Sequence, residues 1–276
     1  MNRNTCLFGA LFLTAITALL GKEAGRFEEN RRISVPEARQ GVAADADFLY
    51  VISNHAISKI RKANGERVSA WECPEGEPLI HLNAGIVIGD RLYCAHSNYP
   101  GVPHLSSIEI WDTKTLHHVS SRSLGRTDGS LTWLDRRHGR WIACFVHYAK
   151  RGGEPGRGPE WTRLVEYDDE WREIGGWGLP PDLVAQLGKK GYSLSGGAVG
   201  PDGRLYVTGH DEPELHVLVF PEAGASLKWV STLPIPAEGQ AFGWDPVEPW
   251  GIHFILKRTR EVISGRVIIP DVTIRQ

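Results

Sequence analysis

Four histidines of this chain follow short apolar runs at comparable places. His55 lies in "SNHA" (53–56), while His96 opens "HSNYPGVPHLSS" (96–107), His147 opens "HYAKRGGEPGRGPEW" (147–161) and His210 opens "HDEPE" (210–214). A neutral imidazole serves as a general base near pH 7 or as a metal ligand. Acid–base catalysis needs one base and one acid held near a substrate, and His96 or His210 with Glu238 would supply them. The same three side chains, with Asp211 nearby, offer nitrogen and oxygen ligands for one divalent metal, although no pair has the local spacing of a known metal motif. His81, Asn83, Asn98, Tyr99, Tyr148, Ser195 and Gln240 are polar groups available to orient a ligand. The Gly- and Arg-rich stretch 148–163 adds Arg151, Arg157, Glu160 and Trp161 as a cap, arginine being suited to carboxylate or phosphate. Taken singly, His55, His81 and His147 read more readily as structural groups, and His104, His117, His118, His138, His216 and His253 as peripheral ones. There is no G-x-S-x-G, no Gly-rich phosphate loop and no catalytic-looking cysteine, so nucleophilic hydrolysis and a nucleotide cofactor are not expected.

These groups need elements that bring them together. Helical periodicity is confined to "PPDLVAQLGKK" (180–190), with prolines at its start and Gly191 beyond it. The rest is short β-branched and aromatic runs between turn residues, the pattern of an all-β protein. "DFLYVIS", "DRLYCAH", "GRWIACFVH", "GRLYVTGH" and "PWGIHFIL" read as one element used five times, with Tyr50, Tyr93, Trp141, Tyr206 and Trp250 at intervals of 43, 48, 65 and 44 residues. Four strands in about 45 residues, repeated, describe β-propeller blades. The long third interval is one blade with an insertion, or else the trace of a sixth, degenerate blade. The fifth unit lacks a fourth strand, and "RISVPEARQGVA" (32–43) matches "STLPIPAEGQAF" (231–242), so an N-terminal strand is expected to complete the last blade and remove an open edge. We expect five blades closed in this way, with six as the competitor.

Antiparallel strands send alternate connections to opposite faces. On one face the turns ("ADAD", "IGDR", "RRHG", "GPDG") are ordinary hairpin residues. On the other, the four histidine-bearing loops and "KRTR" (257–260) meet the blade connections "PLIHLNAG", "RTDGS", "YSLSGG", "AEGQ" and "EARQ". Polar groups converging on one end of a ring make that end the expected small-molecule site.

Hydrophobic residues make up 41% of the chain and the net charge is −2 without a basic block, which argues against nucleic acid and anionic membrane as partners. Arg3 precedes "CLFGALFLTAITALL" (6–20), 15 apolar residues followed by a small polar segment. This reads as a secretory signal over residues 1–24, with an uncleaved anchor as the alternative, and a propeller over 25–276 in the periplasm or secreted. No membrane span is expected after cleavage, and we expect a monomer. Cys94 and Cys144 sit in apolar runs and are expected in the core, with Cys73 either free or paired with one of them.

"QGVAADADFLYVIS" and "EGQAFGWD" resemble blade openings of glutaminyl cyclotransferase-like and lactonase-like propellers. Residues 31–268 as a whole are similar to bacterial propellers labelled cycloisomerase, notably across "HLNAGIVIGDRLYCAHSNYPGVPHLSSIEIWD", "GRGPEWT" and "LYVTGHD". The resemblance implies a propeller, export, and a cyclase or lactonase type of reaction. Glu238 and Gln240 stand in a blade-opening context comparable to the cyclotransferases. The Glu, Asn and Asp metal shell of gluconolactonase-like propellers would fall on Glu238, Asn83 and Asp128, where the flanking residues match poorly. Two functional readings follow. One is an exported enzyme that opens or closes a lactone, isomerises, or eliminates on a small polar metabolite, neutral or anionic. The other is a non-catalytic periplasmic ligand-binding or protein-interaction propeller.

Overall fold

A computed structural model describes residues 25–269. The expected signal segment and Cys6 lie outside the described residues. Strand β1 (Arg26–Ser34) stands apart from its sequence neighbours. Blade 1 is β2 (Gly41–Ala44), β3 (Phe48–Ile52), β4 (Ala56–Arg61) and β5 (Arg67–Glu72). Blade 2 is β6 (Leu82–Ile88), β7 (Arg91–Ser97), β8 (Leu105–Asp112) and β9 (His118–Arg126). Blade 3 is β10 (Ser130–Arg137), β11 (Arg140–Val146), β12 (Arg163–Tyr167) and β13 (Glu173–Gly178), followed by the helix α1 (Pro181–Leu187). Blade 4 is β14 (Gly196–Val199), β15 (Leu205–Thr208), β16 (Glu214–Val219) and β17 (Lys228–Pro234). Blade 5 is β18 (Gly243–Trp244), β19 (Gly251–Leu256) and β20 (Glu261–Ile268), and β1 supplies its fourth strand.

The ring therefore has five blades, each of four antiparallel strands. The long third interval is an insertion, not a sixth blade: residues 147–162 and α1 account for it. β1 pairs antiparallel with β20 from Arg26↔Ile268 to Ser34↔Glu261, with a register shift between Glu29 and Arg31. The closing contact between blades 5 and 1 is reinforced by Asp245, which accepts from Lys62 Nζ at 2.8 Å and faces His253 Nε2 at 3.0 Å.

Burial follows strand position. Second strands such as β11 and β19 are buried almost throughout, whereas outermost β9 is exposed along nearly its whole length and is correspondingly polar. The repeated tyrosine has a physical reason. Tyr50 and Tyr206 are fully buried between blades, and each hydroxyl donates to an aspartate of its own preceding turn, Asp45 at 2.6 Å and Asp202 at 3.0 Å. The large ring fills the wedge between sheets and the buried hydroxyl stays satisfied. Cys73, Cys94 and Cys144 are all free, the last two buried in the core. Among the described residues no helix is long and apolar enough to cross a membrane.

Candidate functional site

The innermost strands β2, β6, β10, β14 and β18 surround the axis, and small residues let them approach. A Cβ on Gly41 would lie 3.0 Å from the Ala241 Cβ and 3.2 Å from the Ala84 Cα, and one on Gly196 would lie 2.6 Å from the Ala241 Cα. On the face carrying the histidine loops this packing opens into a cavity of about 500 Å³. Five blade connections and five second-to-third loops converge on it, as the alternation of strand direction requires.

Seven of the residues singled out from sequence line this cavity: His81, Asn83, Tyr99, Tyr148, Ser195, His210 and Gln240. Gln40, Asn54, His55, Ser130, Thr132, Arg151 and Lys257 join them. His55 and Arg151 lie in loops assigned to this face, and Gln40 and Lys257 end or begin connections assigned to it. Thr132 carried no signal, because its place on an inner strand pointing to the axis is a register effect.

One wall is an unbroken run of aromatic rings. His81 packs on Tyr99 at 4.9 Å, Tyr99 meets Tyr148 edge-on at 5.8 Å, Tyr148 meets Tyr192 at 5.4 Å, and Tyr192 stacks on His210 at 3.9 Å with 13° between planes. At its end, His210 Nδ1–H donates to Asp211 Oδ1 at 2.8 Å. That bond fixes the ring and its tautomer and leaves Nε2 as the proton acceptor. Asp211 thus acts through His210 rather than on a ligand. His55 is oriented similarly, its Nδ1 against the Leu79 carbonyl at 3.1 Å.

The charges are one-sided. Among the described residues the lining contains Arg151 and Lys257 but no carboxylate. Burial, with help from His96, Lys257, His55 and Arg151, pushes His81 down to about 4, so it is neutral at pH 7. Burial together with Arg39 and Arg260 lowers Lys257 below the usual lysine range. Burial raises the phenols of Tyr99 and Tyr148, which remain protonated donors at neutral pH.

Several sequence-assigned residues do other work. His96 is buried behind the wall. Its Nδ1–H donates to Ser107 Oγ at 2.8 Å, Ser107 donates to Glu109 at 2.5 Å, and Glu109 also holds Ser121 and His118. Glu238 is half exposed at the rim, 3.7 Å from Arg258, and does not line the cavity. Among the described residues His96, His210 and Glu238 do not come together as a group of possible metal ligands. Asn98 braces its own loop, donating to the Pro103 carbonyl and accepting from Leu105 N–H at 2.9 Å. Arg157 turns away to pair with Asp128 and to lie over Trp161, and Glu160 accepts from the Gly158 N–H. The insertion does reach the ligand space, but through Tyr148 and Arg151. It is folded tightly there, for a Cβ on Gly153 would come within 1.8 Å of the Tyr148 carbonyl oxygen.

No protein-family model and no curated protein sequence matches the chain. Solved structures do. The PQQ-bound aldose sugar dehydrogenase of Streptomyces coelicolor superposes with a TM-score of 0.54 at 11% identity, over 88% of this chain and 98% of that one. Virginiamycin B lyase from Staphylococcus aureus superposes with a TM-score of 0.51 at 10% identity, over 88% and 100%. The likeness is one of fold. Both neighbours are propellers named as enzymes, and at these identities their chemistry does not transfer residue by residue.

Proposed function

We propose that this chain is an enzyme that performs acid–base chemistry on a small anionic metabolite in the axial cavity. The observation that carries the reading is the lining itself: two cations, three histidines, several uncharged polar groups and no carboxylate. Low-dielectric walls strengthen the attraction of such a site for negative charge. Arg151 and Lys257 would bind the ligand carboxylate, and Asn54, Asn83, Gln40 and Gln240 its hydroxyl or carbonyl groups. His210, oriented by Asp211, would take the proton. Neutral Tyr99 or Tyr148 would donate a hydrogen bond to the oxygen on which charge develops. Lactone opening or closing, isomerisation and elimination all need this set, in keeping with the resemblance of the blade openings to cyclotransferase-like and lactonase-like propellers. Export to the periplasm or medium, and action as a monomer, belong to the same proposal.

The test is a thermal-shift screen of hydroxy acids, sugar acids and their lactones, followed by NMR of each hit in deuterated water. We expect anionic compounds to stabilise the protein, with turnover or deuterium uptake that His210→Gln abolishes while binding survives. Stabilisation by anions without any chemical change would favour the binding-module reading. Equal response to neutral analogues would refute the anion site.

A further inference from the structure

Outside the axial cavity, two histidines 43 residues apart in the chain lie ring against ring. His104 ends the β7–β8 loop, and His147 begins the insertion after β11. Their ring centroids are 5.4 Å apart, and the residues are 1% and 0% exposed. All four ring nitrogens are buried and none makes a hydrogen bond among the described residues. Buried polar atoms are nearly always satisfied, so a pair of imidazoles with four unsatisfied nitrogens needs a physical explanation. Glu154 stands beside them, and one ligand atom from each of the three lies within 4.8 Å of the others. Asp128 Oδ1 approaches His147 Nε2 at 3.4 Å.

We propose that His104, His147 and Glu154, with Asp128 as a further oxygen, form a binding site for a divalent metal ion of the zinc class. Two imidazole nitrogens with carboxylate oxygens are a zinc-type donor set. Bonds of about 2.0–2.1 Å would draw the ligand atoms closer together than they now stand, a movement that falls mainly on the loop bearing Glu154. The two carboxylates offset the charge of the ion. Arg157 pairs with Asp128 and lies 3.8 Å from Glu154, so the ion must displace it.

The role of the metal is to fasten. The β7–β8 loop that ends in His104 also supplies Tyr99 and Pro100 to the axial cavity, and the insertion supplies Tyr148 and Arg151. One ion would clamp these two loops to each other, independently of what the cavity binds.

The experiment is equilibrium dialysis of the chelator-treated full chain against Zn²⁺, with elemental analysis, and Co²⁺ absorption as the report of nitrogen ligation. We expect about one ion per chain and a metal-dependent rise in melting temperature. Both should be lost in His104→Gln and weakened at least ~10–100-fold in Glu154→Gln, since even outer-shell changes have effects of that size. Arg157→Ala should bind more tightly. His210→Gln should bind as the wild type does, which separates this site from the axial one. Because Glu154 is partly exposed, Glu154→Gln will fold even where a change at His104 does not. No binding by the wild type, or wild-type binding by folded Glu154→Gln, overturns the proposal.

Discussion

Asp135 offers a measurable penalty built into the ring. It lies on inner strand β10, toward the end of the axis opposite the cation-lined cavity, among Gly85, Gly197, Val199 and Trp244. It is 7% exposed, and no salt bridge among the described residues engages it. Its oxygens accept from the Val199 and Arg136 N–H groups, each at 2.6 Å, which ties blade 3 to blade 4. Burial outweighs those two bonds and lifts the carboxyl from 3.8 to about 6. A displacement of about two pH units weights the native state against the charged form by about 3 kcal/mol. Below about pH 4 both folded and unfolded chains hold the proton and no penalty exists. Between about pH 4 and 6 the unfolded chain ionises first, so native stability falls as pH rises, and above 6 the penalty is complete. Asp135→Asn keeps an acceptor for Val199 but presents its NH₂ to the Arg136 N–H, at a cost of about 1.5 kcal/mol. Urea unfolding of wild type and variant from pH 4 to 8 is the assay. The variant should be less stable at pH 4 and more stable by about 1–2 kcal/mol at pH 7, a relative change near 3 kcal/mol. Parallel pH curves for the two proteins would refute the reasoning.

Other outcomes follow from the same structure. Asp245→Ala strands Lys62 and His253 at the junction of blades 5 and 1 and should cost about 3 kcal/mol in thermal or urea unfolding at pH 7. Burial works against ionisation of Asp245, but its bonds from His253, Lys62 and two backbone N–H groups hold it well below its ordinary value. The stability it provides should therefore be present above about pH 4 and decline as the solution is acidified further. Gly239→Ala would place a methyl 1.9 Å from the Gly209 carbonyl oxygen and should destabilise by about 1–3 kcal/mol, read as a lowered urea midpoint. Lys257→Met should weaken binding of an anionic ligand about 10-fold and flatten its dependence on salt, measured by calorimetry at two ionic strengths.

The ring was legible because its signals are local: short apolar runs, turn residues, and a tyrosine or tryptophan at a fixed place in each unit. The face on which the cavity opens was legible too, since strand direction alternates and only one set of connections carries long loops and histidines at comparable places. Orientation within a connection was not. Gln240 reaches the cavity while Glu238, two residues earlier, points to Arg258 at the rim, and no feature of "AEGQ" tells them apart. His81 faces the axis and His96 lies buried behind it, though both come from polar stretches of the same blade. The insertion was illegible for a different reason. Its glycines reverse the chain so that Arg151 turns in and Arg157 turns out, and backbone turns of that kind leave no periodic trace. His104 and His147 meet only because two irregular loops from adjacent blades fold against each other.

The pairing of β1 with β20 also has a consequence for the order of assembly. Arg32 and Glu261, joined across that seam, are 229 residues apart in the chain. The first of these strands to be synthesised has no partner until the second arrives, so four blades can form before the fifth is complete. Sealing the ring is therefore the longest loop closure the chain must make, and slow folding is expected of contacts so distant in sequence. Until then β20 and β1 are both unpaired edges, open to a neighbouring chain in the same state. Exchange of β1 between two molecules at high concentration would be the natural error of such a design, and dilution before the last strand is seated its natural remedy.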